Sequence, residues 1–316
     1  MDKIPSVDLR DFLSDNPERK QKFVNEIGKA YEEIGFVALK GHFLDDQLVD
    51  ELYGEVKNFF ELPTDTKQKY EIPGIGGQRG YVGFGKETAK GFKKGDLKEF
   101  WHFGQYLSDD SQYKAEYPDN VTVEELAKFN EVGKEAYQML EKTGQYVLRA
   151  LALHLGLDEF YFDDKIAEGN SILRPIHYPP ITEEPDDAVR AAAHGDINLI
   201  TLLMGAQGKG LQVQNHEGEW IDAIAEPDEL MINVGDMLSR HTNNKLKSTI
   251  HRVVNPPREL WGTSRYSIPF FMHPVSGMSL NCLENCVDEN NPKLYEDTTA
   301  GEFLYERLVE LGLIKK

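Results

Sequence analysis

Residues 188–203 read AVRAAAHGDINLITLL, and this stretch decides the fold. Two runs of small and apolar residues, 188–194 and 196–203, meet at the polar corner His194-Gly195-Asp196. Short runs of this kind, separated by glycine, asparagine and aspartate, are typical of antiparallel strands. The stretch therefore predicts two strands joined at the point where the polar residues lie.

The same texture continues on both sides, from Ser171 to Met272. Alternating or β-branched runs are separated by proline, glycine, asparagine and aspartate, as in an antiparallel sandwich or barrel. The predicted strands are 172–178, 188–194, 196–203, 211–214, 220–223, 229–233, 246–254 and 265–272. Eight such strands suit a jelly roll.

Helical patterns dominate the first half of the chain. Asn16 is a cap residue and Pro17 stands at the first helical position, after which apolar residues recur at helical spacing up to a stop at Gly35. A short strand is predicted at 35–39. A second helix follows, because apolar residues fall on one face between Leu48 and Phe59.

A third, long helix is predicted between a capping box, made by Thr122 and Glu125, and a stop at Gly156. Helical spacing returns at 301–314. The order of elements predicts a mixed α/β chain of the α+β class, in which helices pack on the outside of the barrel.

We expect a single domain over residues 1–316. Its parts are a mainly helical region at 1–165, a jelly-roll core at 171–280 and a C-terminal helix at 300–316.

Composition excludes several classes of protein. Lys and Arg number 35 against 54 Asp and Glu, a net charge of -19, so nucleic acid and anionic membranes are unfavourable partners. We find no apolar run long enough for a membrane span and no signal-peptide pattern, and we expect a cytoplasmic protein. The two cysteines, Cys282 and Cys286, exclude a disulfide framework.

Two histidines and an aspartate carry the chemistry. Residues i and i+2 of a strand face the same way, so His194 and Asp196 can present an imidazole and a carboxylate side by side, and His251 on a later strand can join them. This set leaves three coordination positions open, as in non-haem iron(II) oxygenases. For HxD alone, a surface histidine beside a solvated aspartate is the alternative. His216 and His241 are interpreted as solvated loop residues.

A second motif, Arg265-Tyr266-Ser267, lies on the last predicted strand. Alternation puts Arg265 and Ser267 on one face, where a guanidinium can grip a carboxylate through two hydrogen bonds and a hydroxyl can add a third. A small dicarboxylic acid fits this pair. An exposed edge strand is the alternative reading, but the apolar flank at 268–272 favours a buried strand.

With these motifs, the sequence resembles the isopenicillin N synthase-like family of 2-oxoglutarate- and iron(II)-dependent oxygenases over nearly its whole length. Further similar segments are Ile176-His177-Tyr178-Pro179-Pro180, Asn233-Val234-Gly235-Asp236-Met237 and Arg79-Gly80-Tyr81. One departure is Ile176, where many plant relatives have asparagine, so an asparagine contact to the cosubstrate is absent.

The resemblance implies a double-stranded β-helix core with iron(II) held by the HxD motif and His251. It implies that Arg265 and Ser267 bind the distal carboxylate of 2-oxoglutarate, which the Tyr178 phenol also approaches. The implied enzyme is an oxidoreductase that uses Fe(II), 2-oxoglutarate and O2. It couples oxidative decarboxylation of 2-oxoglutarate to hydroxylation, desaturation or ring closure of a small organic substrate.

Two other functions stay open at this stage. An oxidase resembling isopenicillin N synthase itself would need no 2-oxoglutarate and would use Arg265 and Ser267 for the substrate's own carboxylate. A noncatalytic binding protein on the same scaffold would be expected to have lost a metal ligand, whereas all three are present in this sequence.

Substrate contacts are expected from inward residues near iron and from a mobile segment at 78–85. The candidates are Arg79, Tyr81, Phe100, Trp101, His102, Asn198, Phe271 and His273. Arg79 favours an anionic or carbonyl-bearing substrate, with a surface arginine as the alternative, and the aromatic residues could instead be ordinary packing. Amino acid, peptide, nucleobase, alkaloid and hormone-like substrates are all compatible with the motifs. We expect a monomer or a weak homodimer.

Overall fold

Two β-sheets form the centre of the protein in this computed structural model, which describes residues 3–86, 98–182, 190–205 and 210–310. The strands in these ranges are β1 (Ser6–Asp8), β2 (Phe36–Lys40), β3 (Gly80–Val82), β4 (Glu99–His102), β5 (Ile172–Leu173), β6 (Ile176–Tyr178), β7 (Ala191–His194), β8 (Ile200–Met204), β9 (Leu211–Gln214), β10 (Trp220–Asp222), β11 (Leu230–Val234), β12 (His251–Val253) and β13 (Arg265–Met272).

The larger sheet has the order β1-β2-β11-β8-β13-β6-β4-β3, with β5 beside β13, and the smaller sheet has the order β10-β9-β12-β7. Neighbouring strands are antiparallel apart from the parallel pair β1 and β2. The sheets face each other, because Phe36 and Met231 of the larger sheet share an apolar cluster with Leu211 and Val213 of the smaller one. This is the predicted jelly-roll core.

Helices cover the larger sheet. The described helices are α1 (Leu9–Phe12), α2 (Pro17–Glu33), α3 (Asp46–Glu61), α4 (Thr64–Gln68), α5 (Ala127–His154), α6 (Asp163–Ile166), α7 (Asp236–His241) and α8 (Ala300–Glu310). α5 packs against α2, α3, β8 and β13, and one apolar core runs through these elements. None of the helices in the described ranges combines the length and apolar character that crossing a bilayer requires.

Some of the predicted helix ends are confirmed by the structure and one is not. The Asn16 side chain accepts hydrogen bonds from two backbone N–H groups of α2, and Gly156 follows α5 with a φ of 71°. The predicted capping box is wrong: α5 begins later, at Ala127, and has no side-chain cap. Glu125 instead accepts a hydrogen bond from the Tyr70 hydroxyl, so it links the segment before α5 to the segment after α4. Of the C-terminal helix predicted at 301–314, residues 311–314 lie outside the described ranges.

Strand boundaries differ from prediction where side chains take backbone partners. β9 and β13 have the predicted bounds, whereas 172–178 is divided into β5 and β6. The strands predicted at 196–203 and 246–254 start late, at Ile200 and His251. Asn198 donates to the Ile200 carbonyl, and such local bonds compete with a strand ladder. Residues 188 and 189 fall outside the described ranges.

The segment 78–85 was expected to be a mobile loop, but its centre is strand β3, paired with β4. Gly80 makes this possible. It has a φ of 77°, and an added Cβ would lie 2.4 Å from the Tyr70 carbonyl oxygen, so a side chain would collide with backbone. A glycine that suggests a loop in sequence therefore allows close packing here.

Phe59 of α3 is predicted to be a stability determinant, because its ring is fully buried with centroids 4.9 Å from both Phe129 and Trp101. Phe59→Ala should lower the free energy of unfolding by about 3–5 kcal/mol through lost burial and an unfilled cavity. Leu294→Ala, at a side chain that is 52% exposed, is the control and should have little effect. Urea unfolding measures both; equal losses would contradict the packing described.

Candidate functional site

The pairing of β7 with β12 brings two imidazoles together. His194 is the last residue of β7, His251 is the first residue of β12, and the two are opposite each other in the ladder. Their ring centroids are 4.5 Å apart. Asp196 lies beyond the end of β7, in the turn before β8, so the turn and not strand alternation brings its carboxylate to the histidines.

The three side chains converge on one point. The Oδ1 atom of Asp196 lies 3.8 Å from Nε2 of His194 and 3.7 Å from Nε2 of His251. One ligand atom from each residue lies within 4.8 Å of the others, a spacing suited to one metal ion. The His194 side chain is 49% exposed and the other two are buried, so the group is open on the His194 side.

Hydrogen bonds hold each member in the orientation that a metal needs. Nδ1 of His194 lies 2.7 Å from the Ala192 carbonyl oxygen, and Nδ1 of His251 lies 3.1 Å from that of Thr249. Since a carbonyl only accepts, each Nδ1 carries the proton and each Nε2 keeps a lone pair.

The carboxylate of Asp196 is fixed in the same way from the larger sheet. Its Oδ2 atom accepts hydrogen bonds from Thr201 Oγ1 at 2.6 Å and from Asn233 Nδ2 at 2.8 Å. This leaves Oδ1 directed at the two imidazoles. Asn233 begins the segment Asn233-Val234-Gly235-Asp236-Met237 that was quoted from the sequence. Its position on β11 places its amide beside the Asp196 carboxylate.

The protonation states suit metal binding. Burial alone raises the pKa of Asp196, but the two imidazoles and the bonds from Asn233 and Thr201 outweigh burial and bring that pKa below its usual value. Desolvation lowers the pKa of His194, and the adjacent His251 ring lowers it further. At neutral pH a carboxylate and a neutral imidazole therefore face the metal position, which is the state that coordination requires.

The two histidines that were interpreted as solvated differ from each other. His216 is exposed in a turn, as predicted. The prediction for His241 was wrong, because it ends α7 and is buried, with Nε2 2.9 Å from the Tyr161 hydroxyl and Nδ1 2.7 Å from the Asn281 carbonyl. Burial lowers its pKa to about 4. Both ring nitrogens have partners, so His241 has a structural position.

Arg265 and Ser267 lie on β13, opposite Tyr178 and Ile176 of β6. The Arg265 guanidinium carbon lies 5.5 Å from the Tyr178 ring centroid, and Nη1 is buried without a hydrogen-bond partner within the described part of the chain. A buried donor without a partner is costly unless an anion binds it. Directly opposed residues share a face, so these four side chains lie on one face of the sheet.

Four of the predicted substrate contacts lie on this same face of the sheet. Phe100 of β4 is opposite Ile176 and packs with Tyr178, while Phe271 is opposite Thr201, the residue that holds Asp196. His102 follows Phe100 by two residues, with ring centroids 4.9 Å apart. His273 follows β13 directly and lies two residues after Phe271, so the same alternation places it on this face. Burial lowers the pKa of His273 to about 4.

The structure does not place the other four with them. Tyr81 and Trp101 are on the opposite face of β3 and β4, where they pack on Phe59 of α3. Arg79 is fully buried beside Gly104 and donates to Asn170.

Asn198 is buried and donates to the Ile200 carbonyl and to Thr201. Tyr81 and Trp101 were grouped with the site because β3 and β4 were not recognised as strands, so the alternation that separates the two faces was not available.

Arg174 was missed by sequence reasoning. Its guanidinium carbon lies 4.6 Å from the Phe100 ring centroid and 5.1 Å from that of Phe271, and its Nε donates to Nε2 of His102. The other ring nitrogen of His102 donates to the Gly77 carbonyl, 2.7 Å away, so this imidazole is neutral. The sequence did contain one signal. Residues 174, 176 and 178 are every second residue, so along an extended segment the Arg174 side chain faces the same way as Tyr178.

Comparison with known proteins gives the same picture. Residues 4–125 match the family model for the N-terminal region of non-haem dioxygenases of morphine synthesis, and residues 169–274 match the 2OG-Fe(II) oxygenase superfamily. The 2-oxoglutarate-dependent dioxygenase frbA of a Dothideomycetidae species is 32% identical, covering 97% of this chain and 96% of that protein. The chain belongs to the 2-oxoglutarate- and iron(II)-dependent oxygenases.

Solved structures of this oxygenase family extend the match. A 2OG-Fe(II) oxygenase family protein from Caulobacter crescentus is 43% identical with a TM-score of 0.90, covering 98% of this chain and 100% of that one. A full-length Neurospora crassa protein solved in complex with alpha-KG is 29% identical with a TM-score of 0.84, covering 97% of this chain and 96% of that one.

The protein is therefore an iron(II)- and 2-oxoglutarate-dependent dioxygenase with Fe(II), 2-oxoglutarate and O2 as cofactor and cosubstrates. Two imidazoles and one carboxylate with open positions are the donor set that suits this chemistry. The alternative of an oxidase that needs no 2-oxoglutarate is not favoured by these relatives.

The oxygenase should depend on the hydrogen bonds to Asp196 Oδ2. Thr201→Val removes one of them at nearly constant volume, so we expect iron(II) affinity to fall about 10- to 100-fold, the usual effect of losing an outer contact to a ligand. Thr143→Val, also buried but bonded to Met139 in α5, should bind iron normally. Anaerobic metal titration measures both; wild-type affinity in Thr201→Val would show that the carboxylate does not need this bond.

Proposed function

We propose that His194, Asp196 and His251 are the iron ligands of this dioxygenase. The observation that carries the assignment is the convergence of two Nε2 atoms and one Oδ1 atom, while the other atom of each group is tied to a backbone carbonyl or to Thr201 and Asn233. Side chains held in this way are ready to coordinate without rearrangement.

We further propose that Arg265, Ser267 and Tyr178 bind the distal carboxylate of 2-oxoglutarate. Arg265 and Ser267 are two residues apart on a buried strand, and Tyr178 lies against the Arg265 guanidinium. The unused Arg265 donor favours an anionic guest, because a carboxylate matches the planar fork of arginine.

Iron with 2-oxoglutarate supplies the oxidising power of the reaction, and the protein supplies position and enclosure. Phe100 and Ile176 form an apolar wall, and Phe271 lies beside the residue that holds Asp196. These side chains keep water from the reacting region and hold one substrate bond towards the metal.

The substrate class follows from Arg174. The Arg174 guanidinium lies against the rings of Phe100 and Phe271, so a cation is set among flat aromatic side chains, and arginine N–H groups are donors suited to a carbonyl or carboxylate oxygen. We propose a small, largely planar organic substrate that carries such a group. The Neurospora crassa relative was also solved with alpha-KG and thymine, a planar molecule with carbonyl groups, and in that structure it is 28% identical to this chain.

We also propose that residues 1–316 act as one oxygenase domain, with the parts expected above. Strands β1 and β2 from the helical half belong to the same sheet as β8, β11 and β13, which supports this division. The net charge of -19 supports a protein that does not bind nucleic acid, and we propose a cytoplasmic monomer or weak homodimer.

Arg265→Gln should weaken 2-oxoglutarate binding roughly 30-fold or more, because a dianion loses its buried cationic partner. Arg265→Lys should recover only part, since an ammonium lacks the two-point fork. The visible charge-transfer band of the anaerobic iron(II) protein with 2-oxoglutarate reports binding. Arg149→Gln removes an arginine that is paired with Asp163 between α5 and α6, and should not change the titration. An unchanged titration in Arg265→Gln would remove this residue from the cosubstrate site.

Arg174→Gln should raise the KM for the organic substrate about tenfold or more while 2-oxoglutarate affinity stays constant, because of these two ligands only the organic substrate loses a charged hydrogen bond. Screening planar carbonyl heterocycles and aromatic carboxylates by succinate release supplies the substrate. Trp101→Phe, on the face turned away from the cavity, is the control. Active compounds without a carbonyl or carboxylate, or an unchanged KM in Arg174→Gln, would contradict the proposal.

A further inference from the structure

A second guanidinium, and a buried one, lies at the Arg265 end of the barrel. Arg190 is only 4% exposed, and its guanidinium carbon lies 5.4 Å from the Tyr178 ring centroid, against 5.5 Å for Arg265. Both arginines line a cavity of about 460 Å³. Two cations therefore approach one phenol ring at the same cavity.

The smaller sheet sets the position of Arg190. This residue lies immediately before β7, next to Ala191, which pairs with Val253 of β12. Val253 lines the same cavity as Arg190. The smaller sheet supplies Arg190 and the larger sheet supplies Arg265.

Both guanidiniums have donors without partners. Nε and Nη2 of Arg190 and Nη1 of Arg265 are buried, and no acceptor bonds them within the ranges the structure describes. Asp222 also lines the cavity, but its Oδ1 accepts a hydrogen bond from Gln212.

The two positive charges also oppose each other. Burial lowers the pKa of Arg190, and Arg265 lowers it further. Like charges in a buried position are unfavourable unless a shared counter-ion lies between them. A carboxylate offers two oxygens that can accept from both guanidiniums.

We propose that Arg190 is a second cationic contact for the distal carboxylate of 2-oxoglutarate, so that two guanidiniums select a dicarboxylic 2-oxo acid. The proposal rests on the assignment of Arg265 above. A monocarboxylic 2-oxo acid of the same length would leave both cations buried without their anion. A site built around charged partners discriminates strongly against an analogue that lacks the group.

The test compares two ligands on the anaerobic iron(II) protein by titration calorimetry. 2-Oxoglutarate carries the distal carboxylate, and 2-oxovalerate has the same chain length without it. Arg190→Gln should weaken 2-oxoglutarate binding about 10- to 100-fold, as expected for a lost charged hydrogen bond. Binding of 2-oxovalerate should not change, and Arg190→Lys should recover part of the loss. Arg240→Gln is the matched control, because Arg240 also has a buried Nε without a partner in the described part of the chain but stacks on Tyr295.

Each contrary result has a distinct meaning. If Arg190→Gln binds 2-oxoglutarate as the wild type does while Arg265→Gln does not, the inference on Arg190 is wrong and the Arg265 assignment stands. If both variants bind normally, the Arg265 assignment fails as well. If Arg190→Gln loses affinity equally for both ligands, Arg190 only supports the fold of the pocket and the proposal is overturned.

Discussion

The antiparallel pairing of His194 with His251 is the constraint on which the site depends. Because the two residues are opposite each other, both imidazoles project from the same face of the smaller sheet. A shift of one residue in this register would send one ring to the outer face and break the set. The chain fixes the register with β9, which pairs with β12 on its other side.

The smaller sheet supplies the two imidazoles, and the larger sheet holds the carboxylate that faces them. Thr201 of β8 and Asn233 of β11 hold one oxygen of Asp196, and both residues are adjacent in register. Phe271 and Ser267 follow on the same face of β13, with Phe100 and Ile176 beyond them. One continuous inner surface thus carries the two residues that hold Asp196, the Phe271 ring, Ser267 and the apolar pair of Phe100 and Ile176.

The sequence predicted the parts whose signal is local. HxD, the later histidine and RxS have fixed spacings, and β13 has the predicted bounds because it is a long buried run. The inner face around Phe100 and Ile176 was predicted only in part. β3 and β4 are short, and their pairing depends on partners far along the chain. Without that pairing, Trp101 and Phe100 could not be assigned to opposite faces.

Arg174 and Arg190 were missed for a different reason. Arg174 shares the parity of Tyr178, and Arg190 precedes β7, whose ladder with β12 has a register shift, but neither belongs to a motif of fixed spacing. Their importance depends on what lies opposite them: the rings of Phe100 and Phe271 in one case, and Tyr178 with Arg265 in the other. Such neighbours are set by the packing of the two sheets, which spacing along one strand does not encode.

A crystal structure of the anaerobic protein with iron(II) and 2-oxoglutarate tests the central claim most directly. We expect the metal on Nε2 of His194, Nε2 of His251 and Oδ1 of Asp196, with Oδ2 still bonded to Thr201 and Asn233. We also expect the distal carboxylate against Arg265. A metal bound by other side chains, or a carboxylate directed away from Arg265, would contradict the claim that this register builds the oxygenase site.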